Sequence, residues 1–223
     1  MSRRLSMGDI FCVVLALLLL FVRGGASTAE TKAHVVENAA ENVGVLDGPS
    51  YTTDGRLKFP AKYREWVFLT SGLDMSYNLA ATAAAKSVFD NVFVNPSAYR
   101  VFLRTGIWPD KTVLVLENRG GAGNQSINTR GKTQTMDVTG MEVHVKDTSR
   151  MKGGWAFYSF GDKVSAKLIR RPASCYSCHQ AHGAVDTTFV QFYPTLMPIA
   201  KEKGTLSPEY LQHMDATPLS RTH

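Results

Sequence analysis

Met141-Glu142-Val143-His144-Val145-Lys146 alternates without a break, apolar at 141, 143 and 145 and polar at 142, 144 and 146. A period of two over six residues is a β-strand with one face on a core. Working outward, Thr112-Val-Leu-Val-Leu-Glu-Asn118 reads as a second strand, joined to the first by the polar, Gly-rich stretch 119–132. Gly120-Gly121-Ala122-Gly123 lacks a following Gly-Lys-Ser/Thr and an apolar helix, so it reads as a β-connection rather than a phosphate loop. Further back, Val92-Phe93-Val94 is a strand ended by Asn95-Pro96. Residues 97–105 are expected to form a helix with Tyr99, Phe102 and Leu103 at core spacing and Gly106 as its stop. Trp66-Val67-Phe68-Leu69 is a short β-prone run, whereas 75–85, rich in alanine, reads as helix or loop. On the other side, 154–160 (Gly-Trp-Ala-Phe-Tyr-Ser-Phe) is another strand, closed by Gly161-Asp162. Successive strands separated by turns give an α+β fold: a mainly antiparallel sheet with a few flanking helices, followed by a C-terminal Cys-x-x-Cys-His segment.

That segment is Cys175-Tyr176-Ser177-Cys178-His179. Two cysteines three apart, with a histidine after the second, form an attachment site for a c-type haem. The thiols add to the two vinyl groups, and the imidazole of His179 becomes the proximal iron ligand. One helical turn brings both sulfurs under one edge of the macrocycle. Zinc would need a fourth ligand beyond Cys175, Cys178 and His182, and no further cysteine is at hand. A thioredoxin-like pair would need a strand-to-helix turn in a βαβ setting, which is not seen here.

Arg3-Arg4 followed by the apolar run 10–22 has the form of a secretory signal, with Ser27-Thr28-Ala29 as the small-residue cleavage site. The run is short for a span of about 20 residues, which favours cleavage over anchoring. Expected domains are a signal (1–29), a polar arm (30–55), the haem domain (56–205) and a tail (206–223), with a possible short helix near 35–43. Cleavage leaves about 190 residues, enough for one core. The chain has three cysteines, and Cys12 lies in the signal, so the exported protein would keep only the haem-motif pair and no disulfide framework. Periplasmic localisation follows as an expectation. The net charge of +6 is spread along the 223 residues without a Lys/Arg run, which suits an acidic redox partner and not nucleic acid.

A small helical electron-transfer cytochrome carries its haem motif near the start, with a ligating methionine downstream. Here the motif follows a β-rich region, and Met197 sits in the proline-restricted Tyr193-Pro-Thr-Leu-Met197-Pro198; Met214 also follows. A vacant sixth iron position, open to small molecules, is the expectation.

From Phe59 to about Gly204 the sequence resembles the cytochrome P-460 family, which includes the cytochrome c′-beta proteins. The motifs are Tyr63-Arg-Glu-Trp-Val67, Val92-Phe-Val-Asn-Pro96 with Tyr99, Thr105-Gly106, Thr112-Val-Leu-Val115, and Gly140-Met-Glu-Val143 through Val145-Lys-Asp147. Trp155-Ala-Phe-Tyr158, Cys175-x-x-Cys178-His179 and Phe189-Val-Gln-Phe-Tyr-Pro194 follow. The resemblance implies a β-rich homodimer with one covalent haem c per chain and five-coordinate iron. Hydroxylamine-oxidising members carry a strand lysine bonded to the haem edge; here that position is Leu116, which cannot make the bond. The resemblance therefore points to the cytochrome c′-beta branch, which lacks the cross-link, caps its distal pocket with aromatic rings and binds nitric oxide or carbon monoxide. It puts the distal acid at Glu142, as ligand partner or proton acceptor. Phe93 is the expected distal aromatic, with Phe68 and Phe89 as neighbouring candidates. Arg170 and Arg171 are candidates for the propionates, and His182 reads as a neighbour of the site or a surface residue. Three functions remain: small-ligand binding with nitric oxide foremost, oxidoreduction of hydroxylamine with Glu142 as base, and simple electron transfer to a partner cytochrome.

Overall fold

The computed structural model describes residues 47–77, 86–161 and 164–216. The expected signal, residues 30–46 of the arm, the alanine-rich residues 78–85 and the last seven positions of the tail lie outside them.

The core of the fold is a five-stranded sheet in which each strand pairs antiparallel with the next in sequence: β2 (Val67–Leu73), β3 (Ser87–Val94), β4 (Val113–Ala122), β5 (Thr133–Lys146) and β6 (Trp155–Ser159). A short pair, β1 (Leu57–Lys58) with β7 (Ser165–Ala166), stands apart from it. Among the described residues four helices accompany the strands: α1 (Pro96–Thr105), α2 (Ser174–His182), α3 (Met197–Lys203) and α4 (Pro208–Ala216). The fold is α+β with a mostly antiparallel sheet. Among the described residues no helix is long and apolar enough to cross a membrane.

The alternation at 141–146 sorts the two faces of the sheet. Met141, Val143 and Val145 are buried with Val113, Val115, Ala156, Tyr158 and Tyr63 in one cluster. The opposite face meets the helices: Leu114 and Trp155 join Phe102 of α1, Ala200 of α3, Tyr210 of α4 and the segment from Ala184 to Leu196 in a second cluster. Burying apolar groups on both faces makes the sheet the wall between two cores.

α1 begins at Pro96 and stops at Gly106, whose φ of 71° is open to glycine and whose N–H donates to the Phe102 carbonyl at 2.7 Å. Phe102 is fully buried and Tyr99 half-buried, but Leu103 is exposed, contrary to expectation. Adjacent helical residues point about 100° apart, so the core takes Phe102 and leaves Leu103 to solvent. The β4–β5 hairpin also differs from the sequence reading. Strand pairing continues through Arg119↔Val138 and Gly121↔Gln134 to Ala122↔Thr133, with two register shifts near Arg119. This extension is largely solvated, so no apolar period marks it in the sequence.

Residues 47–55, assigned by sequence to the arm, are tied to the domain. Asp47 accepts from the Ser97 backbone N–H (2.8 Å) and hydroxyl (2.6 Å) at the start of α1. Tyr51 donates to Asp147 at 3.0 Å and bridges to Leu57.

Candidate haem site

On the helical side the sheet forms one wall of a cavity with about 970 Å³ of empty space, its open mouth included. The wall is built by strand register: Leu116 of β4 pairs with Val92 of β3 on one side and Glu142 of β5 on the other. All three line the cavity. Asp90 and Asn118, the next cross-strand pair, stand towards one end, where Asn118 donates to Asp90 at 2.6 Å. Burial raises the Asp90 carboxyl, and the Asn118 bond opposes it. Phe157 and His144 extend the wall. Facing them are His179, from the helix that carries Cys175 and Cys178, and Phe189, Phe192 and Tyr193 from the segment after it.

The two cysteines are free thiols, half-buried, on the same helix as His179 and three positions apart. The Nδ1 of His179 lies 2.7 Å from the Thr187 carbonyl oxygen. A carbonyl only accepts, so Nδ1 carries the proton and Nε2 keeps a lone pair. Burial lowers the His179 pKa below its ordinary value, with the Thr187 bond working against it. His144 stacks on Phe157 (centroids 4.0 Å, 9° between planes) and meets His179 edge-on at 5.1 Å. Burial, and then the nearby His179, push the His144 pKa well down.

A large cavity walled by aliphatic and aromatic groups, two thiols one helical turn apart and a neutral imidazole with a free Nε2 suit a haem. Among the described residues no three His, Cys, Asp or Glu side chains converge on one point. His182 turns instead to His213 of α4, with centroids 5.1 Å apart.

The sequence-derived residues separate into two groups. Glu142, Leu116 and His179 line one cavity. Phe93 does not: it lies on the opposite face of the sheet, edge-on to Tyr63 (5.4 Å) and Phe68 (5.6 Å). The alternation that turns Val92 into the cavity turns Phe93 away from it, so the expected distal aromatic is corrected. The aromatic lining comes from Tyr77, Phe157, Phe189, Phe192 and Tyr193. The signal for three of these was the run Phe189–Tyr193, whose aromatics recur at helical rather than strand spacing. Met197, half-buried at the start of α3, and Met214 of α4 do not line the cavity. Arg171 lies over the Tyr176 ring at 3.9 Å, and Arg170 is exposed.

The sequence reading passed over Glu117. It faces the other core, fully buried, and accepts from Tyr63, Arg64, Asn91 (3.1 Å) and Arg119 (2.9 and 3.1 Å). Burial alone would raise its pKa; the bonds from Arg119, Tyr63 and Asn91 and the charge of Arg64 hold it down to about 2.

In comparisons with known proteins, the family model described as Cytochrome P460 matches residues 60–190. No curated protein matches the chain.

Proposed function

From the chain's membership of the cytochrome P460 family, and hence its identity as a haem cytochrome of the P460/c′-beta type, we propose that it is an exported mono-haem c-type cytochrome with an open iron site that binds nitric oxide or a similarly small ligand. The supporting observation is the cavity wall, where an aliphatic side chain, Leu116, occupies the centre and an acid, Glu142, stands beside it. When bound, the haem supplies an iron able to take a diatomic ligand. Cys175 and Cys178 hold it through thioethers, and His179 offers Nε2. Leu116 and Val92 keep the centre of the wall apolar, which suits a neutral diatomic. Glu142 accepts a hydrogen bond or a proton from whatever occupies the space next to Leu116. The signal-like segment at 3–29 supports a periplasmic setting. The family resemblance supports a homodimer.

A second reading is favoured by Glu142 and Asp90 lining the same cavity: oxidation of hydroxylamine, in which a carboxylate would take up the protons and the electrons would leave through the haem to an external redox partner. Leucine at 116 offers no nitrogen for a haem cross-link, which weighs against it.

Absorption and mass spectra of the purified protein test the first reading. Expected are a mass equal to chain plus one haem, haem retained in acidic organic solvent, and a high-spin ferrous form that binds carbon monoxide. Cys175→Ala/Cys178→Ala should lose the retained haem. A red-shifted main band with a lysine-containing haem peptide would instead favour hydroxylamine oxidation.

A further inference from the structure

Behind His179 lies a tight turn. Val185 and Thr188 bridge each other (3.0 and 3.4 Å), the Thr188 hydroxyl donates to the Val185 carbonyl at 2.7 Å, and Asp186 sits at φ 53°. The carbonyl that accepts from His179 Nδ1, Thr187 O, belongs to this turn. The turn is braced from outside. The Trp108 Nε1–H donates to the Thr188 hydroxyl at 2.8 Å, both residues being buried. Lys146, at the end of β5, donates to Asp186 (3.1 Å) and to the Trp108 carbonyl (2.7 Å), so one ammonium ties both supports together. Gly183 lets the turn close on the helix: a Cβ there would stand 2.7 Å from the His179 carbonyl and 2.8 Å from the Thr188 nitrogen.

We propose that this braced turn is a proximal-side positioning device, in which Trp108 and the Lys146–Asp186 pair fix the tautomer and basicity of His179. The inference rests on the reading of His179 as the iron ligand. An imidazole whose Nδ1–H donates to a well-held carbonyl is a stronger electron donor at Nε2, which favours ferric over ferrous iron. Loosening the carbonyl weakens that donation without touching the ligand itself.

Two variants leave the net charge unchanged: Trp108→Phe removes one donor, and Lys146→Met/Asp186→Asn removes the ion pair. In the haem-loaded protein both should raise the reduction potential and shift the ferrous iron–imidazole stretch to lower frequency. Lys146→Arg, which keeps a cation facing Asp186, should restore both in part. In haem-free protein, nitrogen NMR should show His179 protonated on Nδ1 in the wild type and a tautomer mixture in the variants. A lowered melting temperature with unchanged potential and stretch in both variants would reduce the turn to packing and overturn the proposal. So would wild-type His179 protonated on Nε2 in the haem-free protein, a result that holds whether or not the haem assignment stands. Failure of that assignment has its own signature: a haem spectrum indifferent to His179→Ala.

Discussion

Glu117 is the residue whose environment makes the firmest demand. A carboxyl held at about 2 when folded and at its ordinary 4.5 when unfolded contributes stability that is complete above pH 4.5. That contribution is lost as pH falls from about 4.5 towards 2. Glu117→Gln should therefore destabilise the protein by about 3 kcal/mol at pH 7, because the largely buried Arg119 guanidinium loses its carboxylate. The difference from wild type in urea unfolding should shrink at low pH; a gap constant from pH 7 to 3 would contradict the assignment. On the cavity side, Glu142→Gln keeps the shape and removes the charge. It should leave carbon monoxide binding nearly unchanged while weakening any ligand that donates a hydrogen bond by about 1–2 kcal/mol, measured by spectral titration. Legibility at this scale follows chemistry. Cys175, Cys178 and His179 announce themselves by spacing, whereas only the β4–β5 register shows that Leu116 stands beside Glu142. Phe93 turns away from the cavity because strand parity, not aromatic identity, decides the face: position 92, not 93, shares a face with 114 and 116.

At the scale of elements, α4 is the part the sequence understated. Tyr210 is buried in the helical-side core, and the helix start is tied back by the Ser207 hydroxyl donating to the Gly183 carbonyl at 2.5 Å. Tyr210→Ala should cost about 3 kcal/mol in urea unfolding, the range for a large buried side chain whose space cannot fully close. A value near zero would mean that α4 is only loosely held. Its weak apolar period, with one buried tyrosine among Glu209, Leu211, Gln212 and His213, gave little reason to expect a docked helix. The opposite held for β5 and β6, where alternation or near-continuous apolar character reports burial directly. The hairpin extension beyond Asn118 was illegible for the converse reason: its strands are held by backbone bonds and polar side chains such as Arg119, with no apolar period.

For the whole molecule, Asp47 rather than residue 56 marks where tight packing starts among the described residues. A chain beginning at Arg56 should lose about 1–2 kcal/mol against one beginning at Asp47, with the cap on α1 and the Tyr51 contacts. Equal melting of the two would show that the 47–55 segment contributes nothing. The sequence offers no such boundary because a capping aspartate is decided by a partner, Ser97, fifty positions away in the chain.

The meander has a consequence in time as well as in space. Since every strand of the large sheet pairs with its sequence neighbour, its contacts are local in the chain, and such topologies fold early. The helix bearing Cys175 and Cys178 follows the last of these strands and rests on it, with Tyr176 and His179 meeting the Phe157 ring edge-on at 4.9 and 4.6 Å. During refolding the wall should therefore assemble while both thiols still react with an alkylating reagent. Pulse labelling against strand formation, followed by circular dichroism, would register that delay as an interval in which the sheet is complete and Cys175 and Cys178 remain open to modification.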